Sequence, residues 1–215
     1  KMSALCRSAR FGAQKLLIKQ LNVSSVAPRR WLNLQEYQSK KLMQDVSITV
    51  QNFRVAETLQ QAESIAKEFK VDEYVIKAQI LAGGRGKGTF DTGYKGGVKL
   101  TKDPSEVPGI VKSMLGNKLT TKQTPPGGVK VNEVMVAEAF DIERETYFAI
   151  LMDRASNGPV MVGSPQGGMN IEEVAEKDPN AIYKDPIDIM TGITDAQATK
   201  MAQFLEFKGE KQEKA

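Results

Sequence analysis

The sequence predicts an α+β, or mixed α/β, protein with two lobes. Helix and strand patterns alternate in the first part of the chain, and a run of strand patterns over 118–164 then indicates an antiparallel meander. The 215 residues, 40% of them hydrophobic and 26% charged, are typical of a globular protein with one domain or one domain of two lobes. The order of the elements disfavours a doubly wound parallel sheet.

Local patterns place each element along the chain. Apolar residues recur at helical spacing in some segments, whereas β-branched and apolar residues dominate others. The predicted elements are a helix over 33–45, a strand over 49–56, a helix over 59–69, strands over 74–81 and 96–101, a helix over 103–116, the strand run over 118–164, and helices over 171–178 and 195–207.

Side chains that can cap a first turn mark where the predicted helices begin. The candidate caps are Asn33, Asp103, and the capping-box pairs Thr58 with Gln61, Asn170 with Glu173, and Thr194 with Gln197. Gly116 and Gly209 mark predicted helix ends, because glycine readily adopts the left-handed conformation that follows many helices.

A glycine-rich, cationic segment occupies residues 77–90, KAQILAGGRGKGTF. Its glycines permit φ > 0 and a close approach to the backbone, while Arg85 and Lys87 add positive charge beside exposed N–H groups. These properties suit a bound phosphate. The segment is neither a P-loop nor a dinucleotide fingerprint, because Leu81 and Thr89 stand where those motifs need glycine. A flexible surface loop is the alternative interpretation.

Two charged residues outside that loop are further candidates for chemistry. Lys77 lies in an apolar strand, where a lysine is unfavourable unless its ammonium reaches solvent or meets an anion. Its alternative role is a surface lysine with a buried stem. Glu145 lies in a turn after a strand and could bind ribose hydroxyls, although solvated turn carboxylates are more common. The acidic residues form no pattern typical of a metal site.

The positive charge of the chain is concentrated at its N-terminal end. The net charge of the chain is +4. Residues 1–31 contain basic residues but no acidic residue, since the first acidic residue is Glu36, and the rest of the chain is net acidic. Residues 1–31 are also serine-bearing and lack a secretory apolar core, which predicts a mitochondrial transit peptide. An amphipathic helix or a basic disordered arm is the alternative.

The single cysteine, the absence of histidine and the hydropathy of the sequence exclude several classes of function. Cys6 is the only cysteine, so no internal disulfide is expected, and the chain has no histidine for acid–base catalysis or metal binding. No stretch approaches 18 consecutive apolar residues, so the sequence predicts no membrane span.

Five long stretches follow one another in order: LNLQEYQSKKLM at 32–43, KAQILAGGRGKGTF at 77–90, KGGVKLTKDP at 95–104, TKQTPPGGVKVNEVMVAEAFDIERETYFAILMDR at 121–154 and GSPQGGMNIEEVA at 163–175. Together they resemble the β-subunit family of succinate–CoA ligases. The resemblance implies an ATP-grasp fold with mixed and antiparallel sheets, in which the nucleotide lies between two α+β lobes. The implied organisation is a transit peptide at 1–31, a nucleotide-binding domain at 32–209 that is incomplete at its C-terminus, and a charged tail at 210–215.

The resemblance also implies which residues bind the nucleotide. The positions that match the family's nucleotide-binding residues are Gln51, Lys77, Gly84, Arg85, Gly86, Phe140 and Glu145. Lys77 and the Gly84–Gly86 loop would contact phosphates, and the main chain at Phe140 would lie beside the base. Gln51 stands where guanine-using members carry glutamine and adenine-using members commonly carry proline. An amide N–H can donate to guanine O6, whereas adenine presents a donor there.

The implied activity couples GTP/GDP phosphoryl transfer to the interconversion of succinyl-CoA and succinate, through a phosphohistidine on an α-subunit partner in the mitochondrial matrix. No catalytic residue and no metal ligand is assigned in this chain, since the expected Mg²⁺-binding Asn and Asp would lie beyond residue 215. The alternatives are a truncated, non-catalytic nucleotide-binding module and an ADP-forming ligase. An RNA contact is disfavoured because the loop holds a single Arg-Gly pair and the body is net acidic; neither a nucleic acid nor a membrane partner is expected.

Overall fold

A computed structural model describes residues 33–168 and 171–214, so the predicted transit peptide lies outside the described residues. The described residues form two compact units. The first unit comprises residues 33–69, 76–99 and 104–137. The second comprises residues 70–75, 100–103, 138–168 and 171–214.

The described ranges contain six α-helices and ten β-strands. The helices are α1 Glu36–Asp45, α2 Leu59–Glu68, α3 Val107–Met114, α4 Ile171–Lys177, α5 Asp195–Phe204 and α6 Glu210–Lys214. The strands are β1 Phe53–Ala56, β2 Tyr74–Gln79, β3 Thr89–Phe90, β4 Val98–Thr101, β5 Lys118–Thr120, β6 Val129–Lys130, β7 Glu133–Glu138, β8 Tyr147–Asp153, β9 Gly158–Ser164 and β10 Tyr183–Pro186. Short 3₁₀ turns lie at Arg85–Lys87, Pro104–Glu106 and Pro179–Ala181.

Three sheets hold the strands of the described residues. One has four strands in the order β1-β7-β2-β4, and the others have the orders β3-β5-β6 and β10-β9-β8. Strand β1 pairs antiparallel with β7, β5 with β3 and β6, and β9 with β8 and β10. The α+β fold class with antiparallel sheets is therefore confirmed.

The prediction of one meander over 118–164 is wrong. The strands of this run are divided among all three sheets, because β7 inserts between β1 and β2 instead of pairing with its sequence neighbours. Two pairs of consecutive strands in the run, β5 with β6 and β8 with β9, do pair as a meander would. Long-range pairing thus outweighs the preference of consecutive strands to lie side by side.

The inner strands of the four-stranded sheet are apolar on both faces, because both faces are covered. In β2, Ile76 and Ala78 are fully buried, and in β7, Val134 and Met135 are fully buried. Helices α2 and α3 pack against each other, and α2 also packs against β1. The buried side chains of these helices are Ala62, Ile65, Val107, Val111 and Met114.

Two of the three capping boxes that the sequence predicts are present, while the third, Asn170 with Glu173, includes a residue that lies outside the described residues. The Thr58 hydroxyl accepts the Gln61 N–H at 3.2 Å, and the Gln61 side-chain oxygen accepts the Thr58 N–H at 3.2 Å. Thr194 and Gln197 make the same pair of hydrogen bonds at 3.3 and 3.1 Å. Helices α2 and α5 therefore begin where the sequence indicates.

Two single N-caps are wrong. Helix α1 begins at Glu36, and the N–H of its N-cap Gln35 donates to Gln38 Oε1 at 2.8 Å, so Asn33 lies outside the helix. Helix α3 begins at Val107 because Pro104–Glu106 first forms a 3₁₀ turn, which separates Asp103 from the helix.

The end of α5 also differs from the prediction. The helix stops at Phe204, and Glu206 adopts a left-handed φ of 63°, which turns the chain before Gly209. Buried Met161, Met201 and Leu205 form the core around this helix in the second unit. In the described residues, no helix has the length and apolarity needed to cross a membrane.

Candidate functional site

Two cations from separate segments of the first unit converge on one carboxylate. Lys77 is half-buried in β2, and its Nζ lies 3.2 Å from Glu36 Oε1. Arg85 lies in the 3₁₀ turn after β2, where its Nη2 contacts Glu36 Oε2 and its Nη1 donates to the Ala78 carbonyl at 2.6 Å. The strand and its following loop thereby place both cations at the start of α1.

Buried Gln79 fixes the first turn of α1 against β2. Its Oε1 accepts the Tyr37 N–H at 3.2 Å, and its Nε2 donates to the Lys77 carbonyl at 3.1 Å. Gln79 is only 1% exposed, so both ends of its amide need these partners. Because Tyr37 is next to Glu36, these bonds also set the position of the carboxylate.

Lys40 links this carboxylate to Gln51. Its Nζ lies 3.4 Å from Glu36 Oε1 and donates to Gln51 Oε1 at 2.7 Å. Gln51 is half-buried in the segment before β1, since the strand begins at Phe53 and not at 49 as predicted. We call Glu36, Lys40, Lys77 and Arg85 the Glu36 cluster.

The Glu36 cluster has an excess of positive charge, because three cations surround one carboxylate. Burial alone would raise the pKa of Glu36, but the hydrogen bond from Arg85 and the charges of the three cations outweigh it and lower the pKa to about 2. Burial lowers the pKa of Lys40, and the charge of Glu36 opposes that shift. Glu36 is therefore ionised at neutral pH.

The backbone of the glycine loop presents further donors. Gly84 has a left-handed φ of 72°, and the N–H groups of Lys87 and Gly88 close the 3₁₀ turn by donating to the carbonyls of Gly84 and Arg85 at 3.1 Å. Within residues 33–168 and 171–214, no hydrogen bond from the N–H of Gly84, Arg85 or Gly86 is found. Successive N–H groups in such a turn form an anion-binding concavity.

The glycines of this segment serve different purposes. A Cβ at Gly86 would meet nothing within 4 Å, so the loop is open there. A Cβ at Gly88 would lie 2.8 Å from both Leu119 Cδ1 and the Thr120 carbonyl, so Gly88 is required for packing against β5. The open part of the loop is thus the part that carries Arg85.

An open groove of about 530 Å³ lies beside the loop in the first unit. Glu36 and Arg85 line it, together with Leu34, Gly83 and Gln123 among others. Gln123 Oε1 accepts the Gly83 N–H at 2.7 Å and so holds the start of the loop. Grooves of this size are typical of small-molecule sites.

Two predicted site residues lie in the second unit. Phe140 is 55% exposed in the segment after β7. Glu145 is exposed before β8, and its carbonyl accepts the Gly167 N–H at 3.0 Å. A Cβ at Gly168 would lie 2.0 Å from Glu145 Oε2, so the glycine leaves room for this carboxylate. Gln51, Lys77, Gly84, Arg85 and Gly86 all belong to the first unit.

Within the described ranges, no group of three or more His, Cys, Asp or Glu side chains that could hold a metal is found. Glu36, the acidic member of the Glu36 cluster, already contacts three cations, whose positive charge repels a metal cation.

Sequence reasoning missed Glu36 and Lys40. Their spacing of four residues on a helix is the pattern of an ordinary surface ion pair. Their partners Lys77 and Arg85 lie 41 and 49 positions from Glu36. One sequence signal could have identified them. Glu36 and Lys40 lie in the first turns of a predicted helix, within the stretch 32–43 that resembles the family.

Comparison with known proteins matches this chain to one family model and to curated relatives that share one name. A family model described as the ATP-grasp domain matches residues 33–215. The mitochondrial succinate–CoA ligase (GDP-forming) subunit beta of Sus scrofa is 60% identical over 200 residues, which are 93% of this chain and 46% of that protein. The Homo sapiens protein of the same name is 64% identical over 181 residues, 84% of this chain and 42% of that protein. The chain thus spans less than half the length of these relatives.

Two further matches bear on nucleotide type and on fold. The mitochondrial succinate–CoA ligase (ADP-forming) subunit beta of Dictyostelium discoideum is 46% identical over 194 residues, 90% of this chain and 44% of that protein. The dinucleotide-forming acetyl-coenzyme A synthetase 1 of Ca. Korarchaeum cryptofilum has a TM-score of 0.54 at 19% identity and covers 79% of this chain and 64% of its own. That likeness concerns the fold alone. Because the family model covers most of its length, the chain belongs to the ATP-grasp domain family.

Proposed function

We propose that this chain is the nucleotide-binding part of the β subunit of a GDP-forming succinate–CoA ligase. The observation that carries the proposal is the convergence of Lys77 and Arg85 on Glu36, beside a loop whose N–H groups are available. Two cations and successive N–H donors are the groups that bind the oxygens of a polyphosphate. The ionised carboxylate would hold both cations in place until the phosphates arrive.

The proposed chemistry is phosphoryl transfer to a partner protein. Lys77 and Arg85 would stabilise the negative charge on the transferring phosphoryl group, which is the main protein contribution to such reactions. The 215 residues contain no histidine, so a phosphohistidine in the pathway to succinyl-CoA would lie outside them, and we propose that it lies on the α subunit. Mg²⁺ stays a prediction from the resemblance, and no step is assigned to it.

The proposed nucleotide is GTP/GDP. Gln51 carries this part of the proposal, because its amide can donate to guanine O6. The 60–64% identity to relatives named as GDP-forming supports it, while the match to a protein named as ADP-forming keeps the adenine nucleotide as the alternative. The names of these relatives also support a mitochondrial location, for which we propose the matrix.

Calorimetric titration of the full chain with GDP and ADP tests nucleotide binding. We expect tighter binding of GDP, and a loss of at least about tenfold in GDP affinity for Lys77→Met or Arg85→Met, since each charge-assisted hydrogen bond contributes on the order of 1.5–3 kcal/mol. Lys67→Met is the matched control, because Lys67 is an exposed lysine in α2 away from the cluster. Tighter ADP binding would favour the adenine-using alternative.

Phosphoryl transfer is tested separately with GTP and an α subunit of a named relative. We expect acid-labile phosphate on an α-subunit histidine. A chain that binds GDP but never phosphorylates the α subunit would instead support a non-catalytic nucleotide-binding module.

A further inference from the structure

We infer that the side-chain amide of Gln123 is a further ligand-binding group of the groove beside the glycine loop, and that its Nε2 donates to a phosphate oxygen of the bound nucleotide. The inference deepens the proposed function and rests on it, because it places the phosphates of that nucleotide in this groove. It adds a neutral donor, from the turn after β5, to the cations Lys77 and Arg85.

The turn that carries Gln123 is held by its own hydrogen bonds. The Thr121 N–H donates to Thr124 Oγ1 at 2.9 Å, and the Gln123 N–H donates to Thr121 Oγ1 at 3.1 Å. A threonine hydroxyl that accepts a nearby N–H stabilises a turn, so these bonds fix the backbone of residues 121–124. The Gln123 side chain therefore starts from a defined position just after β5.

One end of the Gln123 amide already has a partner. Its Oε1 accepts the Gly83 N–H at 2.7 Å, across 40 positions of the sequence. The contact requires glycine at 83, since a Cβ there would lie 2.7 Å from the same oxygen. The bond also determines which way the amide points, because its oxygen is the end that accepts an N–H and its nitrogen only donates.

The other end of the amide is available to a ligand. The Nε2 of Gln123 carries two N–H donors, and no acceptor for them is found in the part of the chain that the structure describes. Gln123 lines the groove together with Glu36 and Arg85. The side chain is exposed, so water occupies these donors until a ligand displaces it. A fixed donor that shares a groove with Arg85 suits an anionic oxygen.

Strand β5 and the turn after it hold both ends of the glycine loop. Gln123 bonds Gly83 at the start of the loop, and Gly88 packs against Leu119 at its end. Between these two anchors, a Cβ at Gly86 would meet nothing within 4 Å, so the middle of the loop stays open. The Gln123 amide and the loop N–H groups are thus held by the same strand, which lowers the cost of ordering them when an anion binds.

The experiment follows the side-chain amide signals of Gln123 by NMR in the isotope-labelled full chain. These signals are identified by their absence from the spectrum of Gln123→Met. We expect GDP and inorganic pyrophosphate to move them downfield, because a hydrogen bond to an anionic oxygen deshields the amide protons. Guanosine, which has no phosphate, should leave them in place. The amide signals of Gln197 are the internal control, since its Nε2 already donates to Asp185 Oδ1 and the Pro186 carbonyl.

Calorimetric titration supplies the matching affinities. Gln123→Met should lower the affinity for GDP at least about threefold, because a hydrogen bond to a charged acceptor is lost. Gln60→Met is the matched control, since Gln60 is an exposed glutamine of α2 and does not line this groove, and its affinity should stay within about twofold of wild type. Thermal unfolding checks each variant. If Gln123→Met does not fold, Gln123→Glu replaces it, because a carboxylate accepts the Gly83 N–H and offers no donor.

The outcomes separate this inference from the proposed function. If the folded Gln123 variant binds GDP more weakly but the wild-type amide signals stay in place, Gln123 only holds the loop and the inference is wrong. If the variant binds GDP as tightly as wild type, or if guanosine moves the signals as far as GDP does, the inference alone fails. If wild type binds neither GDP nor ADP nor pyrophosphate, the proposed function and the inference both fail.

Discussion

At the scale of single residues, Glu36 is the side chain on which the site depends. It offsets the mutual repulsion of Lys40, Lys77 and Arg85, which would otherwise be held close together without a counter-ion. Its contacts also join a helix, a strand and a loop that are far apart in the sequence. Loss of this carboxylate should therefore affect stability as well as binding.

Glu36→Gln should destabilise the protein in a pH-dependent way. The pKa of Glu36 falls from 4.5 to about 2 on folding, so its contribution to stability is complete above pH 4.5 and is lost as the pH falls toward 2. We expect the variant to lose about 1–3 kcal/mol in the free energy of unfolding at pH 7, and the difference from wild type to shrink below pH 4.5. Urea unfolding at several pH values measures it.

Glu63→Gln provides the control for this measurement, because Glu63 is an exposed residue of α2. Its free energy of unfolding should stay within about 0.5 kcal/mol of wild type at each pH. A difference between wild type and Glu36→Gln that did not change with pH would contradict the assignment of an ionised, cation-bound carboxylate.

Gly88→Ala should destabilise the protein, whereas Gly86→Ala should not. The new methyl group at 88 would lie 2.8 Å from Leu119 Cδ1 and from a backbone carbonyl, while the one at 86 would meet no atom within 4 Å. We expect a loss of about 1–3 kcal/mol for the first variant and less than about 0.5 kcal/mol for the second. Equal unfolding midpoints in urea for both variants would refute this distinction between packing and open glycines.

At the scale of secondary-structure elements, the start of α5 shows how one side chain can fix a helix in two ways. Gln197 Oε1 accepts the Thr194 N–H at 3.1 Å, which completes the capping box. The Nε2 of the same side chain donates to Asp185 Oδ1 at 3.1 Å and to the Pro186 carbonyl at 2.8 Å in β10. The cap therefore also anchors the helix to its sheet.

Thr194→Ala should lower the free energy of unfolding by about 1 kcal/mol, because it leaves the Gln197 N–H without its capping acceptor. Thr199→Ala is the matched control in the exposed interior of the same helix, where alanine has the better helix propensity. We expect that variant to be unchanged or slightly stabilised. Urea unfolding that showed the same loss for both would mean that the cap contributes nothing.

Elements set by local signals could be predicted, and those set by long-range pairing could not. The capping boxes at Thr58 and Thr194 are contained within four residues, so the sequence alone reveals them. The place of β7 between β1 and β2 depends on segments up to about 80 positions away. A strand pattern in the sequence indicates that a segment forms a strand, but it does not indicate which other strand it pairs with.

The same division applies to the candidate site. The cationic loop and Lys77 could be predicted as candidates from local sequence. A glycine-rich run that contains arginine is a recognisable pattern, and so is a lysine within an apolar strand. Glu36 and Lys40 could not, because only the packing of α1 on β2 through Gln79 brings them to the loop. The roles of Phe140 and Glu145 remain predictions from the resemblance.

At the scale of the whole molecule, charge is divided between the N-terminal segment and the rest of the chain. Residues 1–31 contain basic residues and no acidic ones, whereas the remainder of the chain is net acidic. Within that remainder, the Glu36 cluster has a local excess of positive charge. A general attraction to polyanions is therefore not expected from the body of the protein. The basic segment matches the composition of a targeting sequence.

Residues 1–31 fused to a reporter should direct it into isolated energised mitochondria. Replacing Arg7 and Arg10 of the fusion with glutamate should reduce import at least about fivefold, because transit peptides require a positive, acid-poor segment. Import is measured by protection of the reporter from added protease. Equal import of both fusions, or of neither, would contradict the targeting prediction.

The most direct test of the central claim, that Lys77 and Arg85 hold a polyphosphate, is the affinity gained with each added phosphate. GMP, GDP and GTP are titrated into wild type and into the double variant Lys77→Met, Arg85→Met, with folding checked by thermal unfolding. We expect affinity to rise at least about tenfold from GMP to GDP in wild type, and most of that gain to vanish in the variant while GMP affinity stays within about threefold. A folded double variant that keeps the full gain from GMP to GDP would contradict the claim.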